Sequence, residues 1–244
     1  MHINDAKLYK SIMEYAIEYL SARANEQNVI KYSRYFKEGY DAWGNGGTDV
    51  QDVVKLIEHE FTKLTIPQII ELGSLLFKHG KYEMGSVAIV LITNRIKEID
   101  KDTFTGIKQW FDFGVGNWGH SDYLCTKVTP PFILKHIVDY HEMQDWITSA
   151  SRWTRRAVPV TLLCIRKTEE PQHLLDFVEP LMLDSERVVH QGLGWFLREL
   201  WKVYPLPVEE LLYKYRNTAA RLIIQYATEK MSSQQKERFR KDKK

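Results

Sequence analysis

The pair of side chains best suited to chemistry is Trp118 and Asp122 in GNWGHSDYL. Four positions apart, they fall on one face of a helix and set an indole plane beside a carboxylate. A ring face and an anion together attract a cationic ligand. The same spacing also fits an inward-packed Trp118 with Asp122 capping a following helix. Trp195 is the second candidate. A helix through 186 to 204 puts Val189, Leu193, Phe196, Leu200 and Val203 on one stripe, which leaves Trp195 on the other side with Gln191, Arg198 and Lys202. That is an aromatic surface flanked by cations, unless a neighbouring helix covers it. Arg156, in SRWTRRAVPVTLLCIRK, precedes Val160, Leu163 and Cys164 at four, seven and eight residues and so lies along an apolar stripe, while Arg155 points outward. A guanidinium on the inward side needs a carboxylate or phosphate to offset its desolvation. Asp122 is one candidate partner, and a structural pair with a nearby glutamate is another.

Other chemistries lack their signatures. The chain has no HExxH, no G-x-S-x-G, no C-x-x-C and no G-x-G-x-x-G after a strand. GNGG at 44–47 lacks the Lys-Ser/Thr ending of a phosphate loop, and Thr48 followed by Gln51 reads as a capping box that starts a helix. His136 and His141 are five apart and point to different helix faces, so with Asp139 they make a poor metal site. Two isolated cysteines, Cys125 and Cys164, suggest neither a disulfide framework nor a zinc site and fit a reducing cytoplasm. The start, MHINDAKLYKSIMEY, carries charge in every turn and does not read as a secretory signal, and no apolar run is long enough for a membrane span. A net charge of +2 permits a nucleic-acid partner without demanding one.

The elements that must position these residues are helices. Apolar residues recur at three- and four-residue steps almost throughout, and sustained period-two alternation is absent. Helices are expected near 4–24, 27–39, 49–63, 67–79, 82–98, 102–113, 118–127, 130–141, 143–150, 153–167, 171–182, 186–204, 208–215 and 218–231. Many mid-length helices with short connections bury their stripes by stacking in pairs, so the expected fold is all-α, with HEAT-like repeats forming a curved α-solenoid with a concave face. No string recurs at a fixed spacing of about 40 residues, so a compact irregular bundle is the other arrangement. A single helical domain over 1–231 is expected, followed by a basic, mobile tail over 232–244.

Three strings, NWGHSD, WTRRAV and VVHQGLGWFLREL, stand in the order and spacing of a known family. The sequence resembles the AlkD-like DNA alkylation repair glycosylases, which carry N-W-x-x-x-D, W-x-R-R and G-W-x-L-R-E segments, and SRYFKEGYDAWG is similar to their N-terminal region. The resemblance spans most of residues 5 to 231. It implies HEAT-like repeats around duplex DNA and hydrolysis of the N-glycosidic bond of cationic N3- or N7-alkylated purines, without a conventional base-flipping pocket. It further implies Asp122 as the catalytic carboxylate, Trp118 and Trp195 flanking the lesion, and Arg156 as a cationic partner near the backbone. Trp153, Arg155, Arg198 and Lys202 are expected to contact DNA. No metal or organic cofactor is implied, and the protein is expected to act as a monomer. Two departures stand out. His120 and Ser121 occupy positions that are apolar or small in the family, and DAWGNGGTDVQDV lacks a G-x-x-x-P-x-x-R pattern. A non-catalytic HEAT-like module for structured or damaged DNA is the alternative function, and a protein-interaction scaffold a third.

Overall fold

A computed structural model describes residues 3–61 and 63–242. Thr62, at the end of the helix expected over 49–63, and Lys243 and Lys244, at the end of the expected tail, lie outside the described residues, as do Met1 and His2. Every regular element among the described residues is helical. Packing divides the chain into two units, Met1–Val128 and Thr129–Lys244.

The first unit holds α1 (Ile3–Ser21), α2 (Glu26–Ser33), α3 (Gly47–Glu60), α4 (Ile66–His79), α5 (Tyr82–Asn94), α6 (Lys101–Phe113) and α7 (Trp118–Tyr123), which runs into a π-helical turn over Leu124–Val128. In α1 the fully buried Tyr9, Ile12, Ala16 and Leu20 recur at steps of three and four, the stripe that an amphipathic helix presents to its neighbours. The main contacts join helices one or two apart, α1 on α3, α3 on α5, α4 on α5 and α6, which is the pattern of stacked helical repeats. Trp110 anchors this core. Its indole N–H donates to the Ile70 carbonyl at 3.0 Å, and its ring takes the space that a side chain at position 73 would fill. Capping ends the helices as chemistry demands: Thr65 with Gln68 opens α4, Asp100 with Thr103 opens α6, and Gly80 at φ 92 closes α4. Helix α3 begins earlier than the Thr48 signature implies. Gly46 is its N-cap, and the Asp49 carboxylate accepts the Gly46 N–H at 3.0 Å. Helix α2 ends at Ser33 rather than near 39, and residues 34–46 form an irregular segment.

The second unit holds α8 (Pro130–Leu134), α9 (Arg152–Leu162), α10 (Pro171–Val178), α11 (Arg187–Trp201), α12 (Pro205–Tyr215), α13 (Arg221–Ala227) and α14 (Ser233–Glu237), with 3-10 turns over Tyr140–Trp146 and Glu179–Leu183. The helix expected over 130–141 stops at Leu134, and His136 takes a left-handed φ of 54°. Helix α11 is the hub, packed on α9, α12 and α13, with the expected stripe of Val189, Leu193, Phe196 and Leu200 fully buried. Beyond 231, Ser232 and Gln235 form a capping box for α14. Phe239 is fully buried and its carbonyl accepts from Arg221 Nη1 at 2.7 Å. No described helix is long and apolar enough to cross a membrane.

Candidate functional site

Helix α7 carries both Trp118 and Asp122 and is held from beneath by His120. Asn117 caps the helix, its side-chain oxygen accepting the His120 N–H at 2.9 Å. His120 is buried, stacked on Tyr82 at 4.4 Å and edge-on to Phe77. Its imidazole is oriented by two polar partners. Ser86 Oγ donates to the Tyr82 carbonyl at 3.0 Å, so it accepts from His120 Nε2–H at 3.1 Å. Nδ1 then accepts from the Asn117 amide at 3.0 Å, and the ring is neutral with its proton on Nε2. Burial pushes its pKa down to about 4. Room for the ring comes from Gly85, where a Cβ would lie 2.6 Å from His120 Cε1. The polar residue that departs from the family pattern thus ties α7 to α5. Ser121, beside it, is fully buried, and its hydroxyl has no hydrogen-bond partner among the described residues.

With α7 fixed, Trp118 faces outward at 39% exposure and Asp122, one turn on, is half-buried. The inward-packed reading of Trp118 is therefore set aside. Its indole N–H donates to the Tyr35 carbonyl at 3.0 Å, and one ring face stacks on Phe36 at 5.2 Å. Phe36 in turn stacks on Tyr40 at 4.7 Å, so three near-parallel rings form a column. Tyr82 meets both Phe36 and Tyr40. The segment that brings these rings to α7 is anchored by a buried anion: the Glu83 carboxylate accepts the backbone N–H groups of Trp43, Gly44 and Asn45 at 3.0, 2.7 and 3.1 Å. Three successive amides turned toward one carboxylate satisfy a charge that burial alone would make costly. Burial first, then the Glu83 charge, push the Tyr82 phenol pKa up, so that phenol is neutral. Tyr32, Tyr35, Phe36, Tyr40, Tyr82 and Trp118, together with residues 45–47, line an open cavity of about 430 Å³.

In the second unit Arg156 is 5% exposed and lies along α9, as its spacing predicts. Its Nη1 donates to the Val188 carbonyl at 2.7 Å, so a backbone acceptor on α11 supplies part of what the sequence leaves to a carboxylate or phosphate. Gly192 makes the room, since a Cβ there would lie 2.9 Å from Arg156 Cγ. Trp195 is half-buried on α11. The four residues expected to contact DNA are placed differently from a free basic face. Trp153 is 4% exposed and belongs to the core. Arg155 does not point outward: its Nε meets Asp184 at 2.6 Å and its Nη1 meets the Ser149 carbonyl at 2.7 Å. Arg198 pairs with Glu199 and Glu229, and Lys202 with Glu199 at 2.7 Å. Each charge is matched by a carboxylate on its own or a neighbouring turn or helix, a relation that helical spacing alone shows only for Lys202.

His136, Asp139 and His141 do not converge on one point. Asp139 accepts from the His141 N–H at 2.9 Å and contacts its Nδ1 at 2.6 Å, capping the 3-10 turn. Among the described residues no group of three or more His, Cys, Asp or Glu is arranged to hold a metal ion. Sequence reasoning missed Tyr35, Phe36, Tyr40, Tyr82 and Glu83. The alternation of cations and rings in KYSRYFKEGYDAW was the available signal for the first three, and nothing local marks the other two.

The sequence pattern of the family described as DNA alkylation repair enzyme matches residues 16–231. Among solved structures, a predicted DNA alkylation repair enzyme from Enterococcus faecalis superposes with a TM-score of 0.70 at 18% identity, covering 86% of this chain and 97% of that one. AlkD2 from Streptococcus mutans superposes with a TM-score of 0.55 at 19% identity, covering 83% of this chain and 97% of that one. At these identities the likeness is one of fold, and it establishes the all-helical, HEAT-like class. No curated protein matches the sequence significantly. The family match takes in both units and all three motif strings, and the chain belongs to the DNA alkylation repair enzyme family.

Proposed function

We propose that the protein is a DNA glycosylase that hydrolyses the N-glycosidic bond of cationic N3- or N7-alkylated purines in duplex DNA. The observation that carries this reading is the half-buried Asp122 one turn from an outward indole, on a helix whose orientation is fixed by His120 and Asn117. An alkylated purine already carries positive charge, so it leaves as a neutral base with the bonding electron pair once C1′–N breaks. The burden on the enzyme is the positive charge that develops on the deoxyribose, and a preorganised carboxylate stabilises it. Asp122 also takes a proton from the water whose oxygen bonds to C1′, much as a carboxylate serves in glycoside hydrolysis, leaving an abasic sugar. The Trp118 face attracts the cationic nucleotide. Trp195 and Arg156 keep the roles that the resemblance implies, lesion contact and backbone-side cation. Neither a metal nor an organic cofactor enters the reaction.

Base release from duplex DNA containing 7-methylguanine tests the reading, with circular dichroism as the check on folding. The wild type is expected to release the base, and Asp122→Asn to slow release by roughly 100-fold or more, the usual loss when a transition-state electrostatic partner is removed. Undiminished release by Asp122→Asn would take the carboxylate out of the chemistry. DNA binding by the wild type without release of 7-methylguanine or 3-methyladenine would favour the non-catalytic module.

A further inference from the structure

Residues 31–37, KYSRYFK, contain three cations and no acid. The Lys31 ammonium lies over the Tyr32 ring at 5.3 Å, and the Arg34 guanidinium lies over the Tyr35 ring at 4.8 Å. Arg34 Nη2 also donates to the Tyr35 hydroxyl at 2.9 Å. Among the described residues none of Lys31, Arg34 and Lys37 is paired with a carboxylate. The rings beside them are exposed to an unusual degree for aromatic side chains: Tyr32 at 38% and Tyr35 at 52%, with Trp118 at 39% across the same cavity. Exposed ring faces interleaved with uncompensated cations are what a nucleic-acid strand recognises, bases on the rings and phosphates on the cations.

We propose that the aromatic cavity of the first unit is a slot for one unpaired nucleobase of DNA, stacked on the exposed Tyr35 ring, with Lys31, Arg34 and Lys37 contacting the flanking phosphates. Its volume of about 430 Å³ has room for a nucleobase. The column of Tyr40, Phe36 and Trp118 holds the indole wall in place from behind, and the Tyr35 carbonyl locks its edge. Selection among bases is weak, because every base has a face to stack. The proposal rests on DNA being the partner and goes beyond the excision reading, which needs no such slot.

Equilibrium binding of two fluorescein-labelled duplexes tests it, one fully paired and one carrying a single-nucleotide bulge. The wild type is expected to prefer the bulged duplex by roughly tenfold, the scale of one base–aromatic stack, and Tyr35→Ala to bring the bulged duplex toward the affinity of the paired one. Tyr35 lies in an exposed turn and holds Trp118 through its backbone, so this variant keeps the fold and the indole lock. The triple variant Lys31→Gln, Arg34→Gln, Lys37→Gln is expected to flatten the salt dependence of bulged-duplex binding by about 0.7 in log–log slope per lost contact. Equal wild-type affinity for both duplexes, or a preference that survives Tyr35→Ala, overturns the slot while leaving the DNA reading intact. Binding of neither duplex at low salt overturns both.

Discussion

The cations near the first unit's aromatic cavity and those of the second unit's motif strings are treated in opposite ways. Lys31 and Arg34 rest on tyrosine faces with no carboxylate among the described residues to neutralise them, whereas Arg155, Arg198 and Lys202 are each matched by Asp184, Glu199 or Glu229. Cations over rings keep most of their field for an incoming anion, and cations in close ion pairs have given up most of theirs. The buried polar groups differ in the same sense. The first unit fixes its motif helix with a neutral imidazole, His120, and the second carries a buried guanidinium, Arg156, that donates to a carbonyl on α11. A motif residue's type therefore says less about its availability than the company the fold gives it.

The largest effect that would sharpen this contrast is at Asp184. Its side chain is 7% exposed, pairs with Arg155, and caps the Glu186 N–H at 2.7 Å. Asp184→Ala strands a largely buried guanidinium, so urea denaturation should show a loss on the order of 3–5 kcal/mol. A loss below about 1 kcal/mol would mean that the pair is a surface contact and Arg155 is free for other partners.

His120 supplies the next. Its folded pKa, about 4, lies below the usual 6.5, so the unfolded chain binds more protons between those values and stability rises with pH across that window. The contribution is fully present above pH 6.5 and is lost as pH falls through 4. Between pH 7 and pH 5 the wild type should lose about 2 kcal/mol more than His120→Gln, measured by urea unfolding at each pH. Equal losses would show that the imidazole is not held neutral by the fold.

The smallest expected effect is at Lys202, whose ammonium already sits on Glu199 at the protein surface. Lys202→Gln should change stability by no more than about 0.5 kcal/mol and leave the salt dependence of DNA binding unaltered, in contrast to the substitutions at 31, 34 and 37. A reduction in that dependence by one phosphate contact would place Lys202 on the DNA-binding surface and break the comparison.

Much of this protein was legible in its residues because the relevant physics is local. The three- and four-step spacing of Val189, Leu193, Phe196 and Leu200 placed α11 and its buried face, and the helix starts expected at 67 and 102 fall one residue inside those that Thr65 and Asp100 cap. The strings NWGHSD, WTRRAV and VVHQGLGWFLREL carried the family, because a motif is a statement about order along the chain. What only the tertiary structure decided involves groups far apart in sequence. Helix α2 stops at Ser33 where its pattern would continue, because Phe36 leaves the helix to stack between Tyr40 and Trp118. Glu83 gathers the amides of residues 43–45 from forty positions away, and His120 finds Ser86 on another helix. Asp184 neutralises Arg155 across twenty-nine residues. Periodicity reports which face of a helix is apolar. Which carboxylate, carbonyl or ring completes a polar side chain depends on how the helices pack, and that is settled by side-chain volumes across the whole core, Gly85 and Gly192 among them.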